Sequence, residues 1–236
     1  MTKFQSPKQI VVTLILLSCS TFAAAAVEQE SKTGSQAAPK TQSNELFSDD
    51  FEFGLQRWET TDKSAWHQKI VDGRSIVGLN KRKSAYQPPV RSPHNIALIK
   101  DTEFESFKMT FDVKSTKDTG NHRDCCVFFG YQNDQQFYYV HLGAKPDPHS
   151  GQIMIVDKKP RRALTTNENP IPWDDQWHQV KLIRNVSSGM IQIFFDDMQQ
   201  PIMSVSDKTF RKGRIGIGSF DDMNDFDNVK ISKLED

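Results

Sequence analysis

From Phe107 to Lys114 the chain alternates strictly between two kinds of side chain. Phe107, Met109, Phe111 and Val113 are apolar, and Lys108, Thr110, Asp112 and Lys114 between them are polar. A two-residue period is that of a β-strand with one dry face and one wet face. Similar segments follow at 124–131, 137–142, 152–156, 177–184, 190–196, 201–205, 214–219 and 226–231, and WHQKIVDGRSIVGL (66–79) predicts a hairpin turning at Asp72-Gly73. No stretch sustains a helical period. Many short strands at close spacing, with Gly, Pro and Asp between them, predict an all-β chain folded as a two-sheet antiparallel β-sandwich, or jelly roll.

The segment GNHRDCCVFFGYQNDQQFYYVHLG (120–143) carries the most specific pattern. A two-residue turn at Asn133-Asp134 and a four-residue turn at 132–135 set the same pairing: Cys126 opposite His141, Val127 opposite Val140, Phe128 opposite Tyr139. Alternation then puts Cys125, Val127, Phe129, Tyr138, Val140 and Leu142 on one face, the expected core. Asp124, Cys126, Phe128, Phe137, Tyr139 and His141 share the other. A wet strand surface carries Lys, Thr and Glu, as at 107–114, so aromatics beside a histidine and a carboxylate call for a ligand or a covering loop.

Adjacent strand residues point to opposite faces, so a Cys125-Cys126 disulfide would break the ladder. The third cysteine, Cys19, lies near the N-terminus. The pair therefore reads as two reduced cysteines used as small hydrophobes. A transition-metal set of Asp124, Cys126 and His141 is the alternative, without a C-x-x-C or H-x-x-x-H motif to demand it.

The first 26 residues have the form of a secretory signal peptide. Lys3 and Lys8 precede an apolar run from Ile10 to Leu17, and Ala23 to Ala26 offer a small-residue cleavage site. The run is too short for a membrane span, so no transmembrane segment is expected in the mature chain. LLSC, ending at Cys19, is a loose lipobox; Leu17 fits it poorly, which favours plain cleavage and export to the periplasm or beyond. Residues 27–44 are too polar to bury a core and read as a spacer. Residues 45–236 are one domain's length. Thirty Lys plus Arg balance thirty Asp plus Glu along the chain, which argues against nucleic acid as a partner.

Three further stretches carry a resemblance. FSDDFEFGLQRWE (47–59), WHQVKLIRNVSSGMIQIFFDDMQQPIM (177–203) and GRIGIGSFDDMNDFDNVKI (213–231) resemble the opening, laminin-G-like and closing strands of the concanavalin A-like lectin/glucanase superfamily. FFGYQNDQQFYYVHLG (128–143) is similar to bacterial exported domains related to the 3-keto-disaccharide hydrolase family. The resemblance implies a carbohydrate ligand, polysaccharide or oligosaccharide, on the concave sheet, the surface expected to bear Tyr139 and His141.

His122, Arg123 and Asp124 at the strand entrance, with Lys145, Asp147 and His149 in the Pro-stiffened loop that follows, complete the expected ligand set. If the domain is an enzyme, His141 would be the base, Tyr139 the acid, and Arg123 would neutralise a carboxylate or enolate. The glucanase-like E-x-D-x-x-E and the lyase-like Q-I-H patterns are absent from the sequence, which favours binding over turnover. A laminin-G-like protein-interaction module is a third reading. The resemblance also implies a structural Ca²⁺, with Asp50, Glu52 and Asp227 in the corresponding positions.

Overall fold

The structure is a computed structural model describing residues 44–118 and 120–234. The expected signal peptide, Cys19 and all but the last residue of the expected spacer lie outside the described residues. The strands are β1 (Glu45–Asp49), β2 (Trp58–Thr60), β3 (Trp66–Val71), β4 (Arg74–Leu79), β5 (Asn95–Ile99), β6 (Phe107–Ser115), β7 (Cys126–Asn133) and β8 (Gln136–His141). They continue with β9 (Gln152–Asp157), β10 (Arg162–Ala163), β11 (His178–Arg184), β12 (Met190–Phe195), β13 (Met203–Ser206), β14 (Arg214–Ser219) and β15 (Asn224–Ser232). Among the described residues no helix is long and apolar enough to cross a membrane.

These strands form two antiparallel sheets. One runs β13-β12-β11-β6-β15-β4-β3, with β1 also paired to β15; the other runs β10-β9-β8-β7-β14-β5-β2. In β6 the buried and half-buried residues alternate through its whole length, so Phe107, Met109, Phe111 and Val113 enter the space between the sheets. There they meet Val127, Phe129, Tyr138 and Val140 from the facing sheet. Burial of these large apolar groups supplies the main driving force, at about 25 cal/mol per Å² removed from water.

The β7–β8 pairing places Cys126 opposite His141, Val127 opposite Val140 and Phe128 opposite Tyr139, as the sequence predicts. The turn itself differs. Asn133 pairs with Gln136, so Asp134 and Gln135 make the turn, and the register shifts between Phe129 and Asn133. The extra residues on β7 are accommodated where Gly130 takes φ 54°. A Cβ there would come within 3.1 Å of the Phe210 Cβ, so the irregularity rests on glycine. The bulge absorbs the displacement of the turn and leaves the inner pairing unchanged.

The outer face of this sheet is dry as well. Ile96, Leu98, Cys126, Phe128, Tyr131, Phe137, Tyr139, Met154 and Val156 form a second buried cluster, with Val90, Ala163 and Phe220 packed against it. The hollow expected over Tyr139 is thus filled by the chain's own covering segments. Both cysteines are free and buried, Cys125 in the main core and Cys126 in the second cluster. Burial first, then the Asp124 carboxylate, pushes both thiols well above their ordinary range.

Candidate functional site

The outer face opens at its His141 end. A cleft of about 440 Å³ lies there, walled by residues at the start of β7, the end of β8, the 143–151 loop, the covering segments and the β14–β15 connection. Seven of the eight residues expected to touch ligand line it: His122, Arg123, Asp124, His141, Lys145, Asp147 and His149. Tyr139 does not. It is fully buried and its hydroxyl finds no hydrogen-bond partner among the described residues. Burial raises its phenol well above the ordinary range, so the phenol is walled off from the proton-donor role expected of it.

Asp124 organises the site. Its Oδ1 accepts hydrogen bonds from Ser219 Oγ at 2.8 Å and the Phe220 amide at 2.9 Å, and its Oδ2 accepts from the Asp221 amide at 3.1 Å. One carboxylate thereby folds the β14–β15 connection over the ends of β7 and β8. Burial pushes this carboxyl up, but the adjacent His141 imidazole, with the loop donors, outweighs it and holds the group well below the carboxylate range. Asp221 moves the other way. Burial, then the hydrogen bond and charge of Asp124, push it from 3.8 to about 6, against the opposing pull of Arg82 and His122.

His141 is 5% exposed, and its Nδ1 lies 2.9 Å from the His149 carbonyl, an acceptor that requires Nδ1 to carry the proton. Nε2 is then turned toward Asp124 Oδ2 at 3.7 Å. The imidazole stacks on Phe220, with centroids 5.6 Å apart and the rings inclined by 21°. The donor atoms of Asp124, Cys126 and His141 lie within 4.8 Å of one another. The transition-metal set read from the sequence is thus brought together, with Asp124 already holding the loop and Cys126 kept as a thiol.

The loop at 143–151 is tied together by its own hydrogen bonds. Asp147 and Ser150 exchange backbone hydrogen bonds of 3.0 and 3.2 Å, and the His149 amide donates to Asp147 Oδ1 at 2.6 Å. Gly151 has φ 64°, and a Cβ there would lie 2.9 Å from Pro146 Cα. Lys145, Asp147 and His149 are therefore presented from a fixed frame, with exposed side chains. Arg123 is committed elsewhere: its Nη2 binds the Asp175 carboxylate and lies 3.5 Å from Asp118. That leaves it a poor partner for a substrate's negative charge.

Sequence reasoning missed Arg91, Asn121, Ser150, Arg161, Phe220 and Asp221, which complete the cleft wall. The dry outer face signalled that a cover was needed. Nothing in the sequence told which distant loops would supply it.

The three carboxylates read as a calcium set have separate engagements. Asp227 Oδ2 lies 3.1 Å from Arg74 Nη1, Glu52 Oε1 accepts from the Ser75 amide at 3.4 Å, and Asp50 Oδ1 accepts from the Glu52 amide at 3.3 Å. Among the described residues their side-chain oxygens do not converge on one point, and Arg74 already supplies a cation at Asp227. Side chains alone thus make a poor calcium cage.

No protein-family model matches the sequence, and no curated protein matches it either. Solved structures do. The carbohydrate-binding module CBM66 of Bacillus subtilis superposes with a TM-score of 0.55 at 16% identity, covering 75% of this chain and 96% of that one. A variant of the GH43 protein BlXynB of Bacillus licheniformis gives 0.53 at 12% identity, covering 79% of this chain and 39% of that one. An acidic lectin of winged bean, solved with methyl-α-D-galactose, gives 0.49 at 12% identity over 80% of this chain and 98% of the lectin. The chain has the concanavalin A-like jelly-roll sandwich fold.

Proposed function

We propose that this domain binds a saccharide in the cleft between the ends of β7 and β8, the 143–151 loop and the β14–β15 connection, and that it does so outside the cytoplasm. The cleft itself carries the reading. It is walled by hydrogen-bonding side chains held by loop hydrogen bonds, and the Phe220 ring, stacked on His141, adds an apolar surface to its wall. Polar groups fixed in advance around an apolar surface are what a sugar's alternating hydroxyls and C–H faces require. The fold shared with a solved carbohydrate-binding module supports it, and the leader-like first 26 residues support the exported setting.

Binding on a glycan array tests this, with chromatography of the bound glycans after incubation to detect turnover. Retention of at least one glycan class, weakened in Lys145→Ala and His149→Ala, is the expected result. Retention unchanged in both variants would move the site elsewhere, and no retention at all would end the proposal.

A second reading is favoured by one observation. Asp124 and Asp221 adjoin in the cleft with carboxyls pushed in opposite directions, the separation that acid–base chemistry uses. In that reading Asp221 donates its proton to the departing glycosidic oxygen as the C1–O bond breaks, water adds at C1, and the proton that water sheds restores Asp221. Shortened, saturated products in the incubation, lost in Asp221→Asn, would establish it.

A further inference from the structure

The cleft holds a buried cation that the protein does not pair. Arg161 lines the cleft and is 9% exposed, and among the described residues its Nε and Nη1, both closed off from solvent, have no hydrogen-bond partner. Among the described residues neither Arg161 nor its neighbour Arg91 is in a salt bridge, although Asp124 and Asp221 share the same cleft. The backbone fixes the two arginines side by side, since the Arg161 amide donates to the Arg91 carbonyl at 3.1 Å. The Arg161 guanidinium lies over the Phe220 ring, 4.0 Å from ring centroid to carbon.

Elsewhere this chain satisfies its buried guanidinium groups. Arg184, 2% exposed, donates to the carbonyls of Gly189, Asp207 and Phe210 at 2.7, 2.8 and 3.0 Å. Arg123 is paired with two aspartates. A guanidinium stays charged at any ordinary pH, and leaving it buried without an acceptor is costly. The cation–π contact with Phe220 offsets part of that cost and cannot supply the missing acceptors.

A second hollow of about 420 Å³ adjoins the first. It shares Arg91, Phe220 and Asp221 with it and adds Lys83. The second hollow thus brings Lys83 to the far side of Arg91, in a chain whose formal net charge is zero.

We infer that the saccharide bound here is acidic, and that an anionic group on it, the carboxylate of a uronic acid or a sulfate ester, is received by Arg161 and Arg91. The guanidinium edge offers two parallel N–H donors that match two oxygens of either group. This inference rests on the saccharide-binding reading above and narrows it.

The test is an immobilised panel in four arms: uronic-acid oligosaccharides, the same oligosaccharides after carboxyl reduction, sulfated galactans, and neutral glucans and galactans. Retention of a uronic-acid arm that disappears on carboxyl reduction is the expected result and identifies a carboxylate. Retention of the sulfated arm alone identifies a sulfate. Arg161→Met should weaken the retained acidic glycan by about tenfold or more, and Arg91→Gln by less, since the group is more exposed. Retention confined to neutral glycans would overturn this inference and leave the binding proposal standing, whereas no retention in any arm would remove both. Added salt should weaken acidic-glycan binding in the parent and have less effect in Arg161→Met. An Arg161→Met variant that binds the acidic glycan as tightly as the parent, with its thermal transition intact, would also overturn the inference.

Discussion

The β7–β8 hairpin presents a tyrosine and a nearby arginine on each of its two faces, and the two pairs are treated in opposite ways. On the inner face Tyr138 donates to the Asp207 carboxylate and accepts from the Phe210 amide at 3.1 Å. Arg184 lies over its ring at 5.3 Å with three carbonyls on its own nitrogens. On the outer face the Tyr139 hydroxyl has no partner, and two of the three Arg161 nitrogens have none. Both faces are dry and aromatic, so burial does not distinguish them. Polar satisfaction does: the inner pair completes the fold, and the outer pair keeps donors that no described residue meets.

The sharpest way to break this contrast is to remove each arginine in turn. Arg184→Met removes the donor to the carbonyls of Asp207 and Phe210, while the Gly189 carbonyl keeps the Asp207 amide at 2.9 Å, and it should destabilise the domain by about 3 kcal/mol, since each orphaned group costs roughly 1–3 kcal/mol before relaxation. Arg161→Met strands nothing and loses only a cation–π contact, so its cost should stay within about 1 kcal/mol, or change sign. Urea denaturation of the two variants measures the difference. Equal losses would mean that Arg161 has partners in solution and that the two faces are alike.

Asp124 comes next. Replacing it with Asn keeps one acceptor oxygen but turns an N–H₂ group toward the loop donors at its other oxygen. The expected cost is about 2 kcal/mol in the same denaturation experiment, from hydrogen bonds made to a charged acceptor. The loss should come with faster amide exchange at Phe220 and Asp221, whose N–H groups it holds. A variant as stable and as protected as the parent would show that the cleft wall stands without its anchor.

How far the contrast could be read in advance follows from which forces are local. The alternation at 107–114 and the pairing of 126–128 with 139–141 were legible, because a strand's period and a hairpin's register are written in adjacent residues. The turn shifted by one residue, and Gly130 absorbed the shift. His122, Arg123, Asp124 and His141 could be placed at one sheet end for the same reason, and Lys145, Asp147 and His149 follow directly in chain. The sealing of Tyr139 was not legible. Its cover comes from segments near 90, 161 and 220, brought over the face by tertiary hydrogen bonds such as those of Asp124 and by the Arg161–Arg91 backbone link. Arg161 sits in a run of basic residues, KKPRR, that looks like a solvated turn until the fold buries it.

A smaller effect separates the two tyrosines. Tyr138→Phe removes the donor to Asp207 and an acceptor of the Phe210 amide, so it should cost about 1–2 kcal/mol. Tyr139→Phe removes a hydroxyl that is already without a partner and should leave stability unchanged or raise it by a few tenths of a kcal/mol. Thermal denaturation of both single variants at one pH is sufficient. A loss in Tyr139→Phe as large as that in Tyr138→Phe would place an unseen acceptor, such as an ordered water, over the outer face.

The smallest expected effect is a pH slope. Asp221 has its native carboxyl raised from 3.8 to about 6, by burial and then by Asp124 beside it, so the native state favours the protonated form. Its contribution is fully present below 3.8 and is lost as pH rises through about 6. Asp124 is shifted downward and behaves oppositely: its contribution is present above 3.8 and is lost as pH falls below that value. Burial also raises Asp222 and Asp227, so the part of the slope between pH 4.5 and 7 that belongs to Asp221 is the part removed in Asp221→Asn. Asp221→Asn cannot ionise, so its stability relative to the parent should rise across that window and level off above it. For an acidic glycan the parent's affinity should increase as pH falls through about 6, because the cleft sheds a negative charge, and that increase should be smaller in Asp221→Asn. A variant whose stability tracked the parent's across the window would show that the two carboxyls do not sense one another, and would withdraw the acid–base reading of the cleft while leaving the unpaired arginine in place.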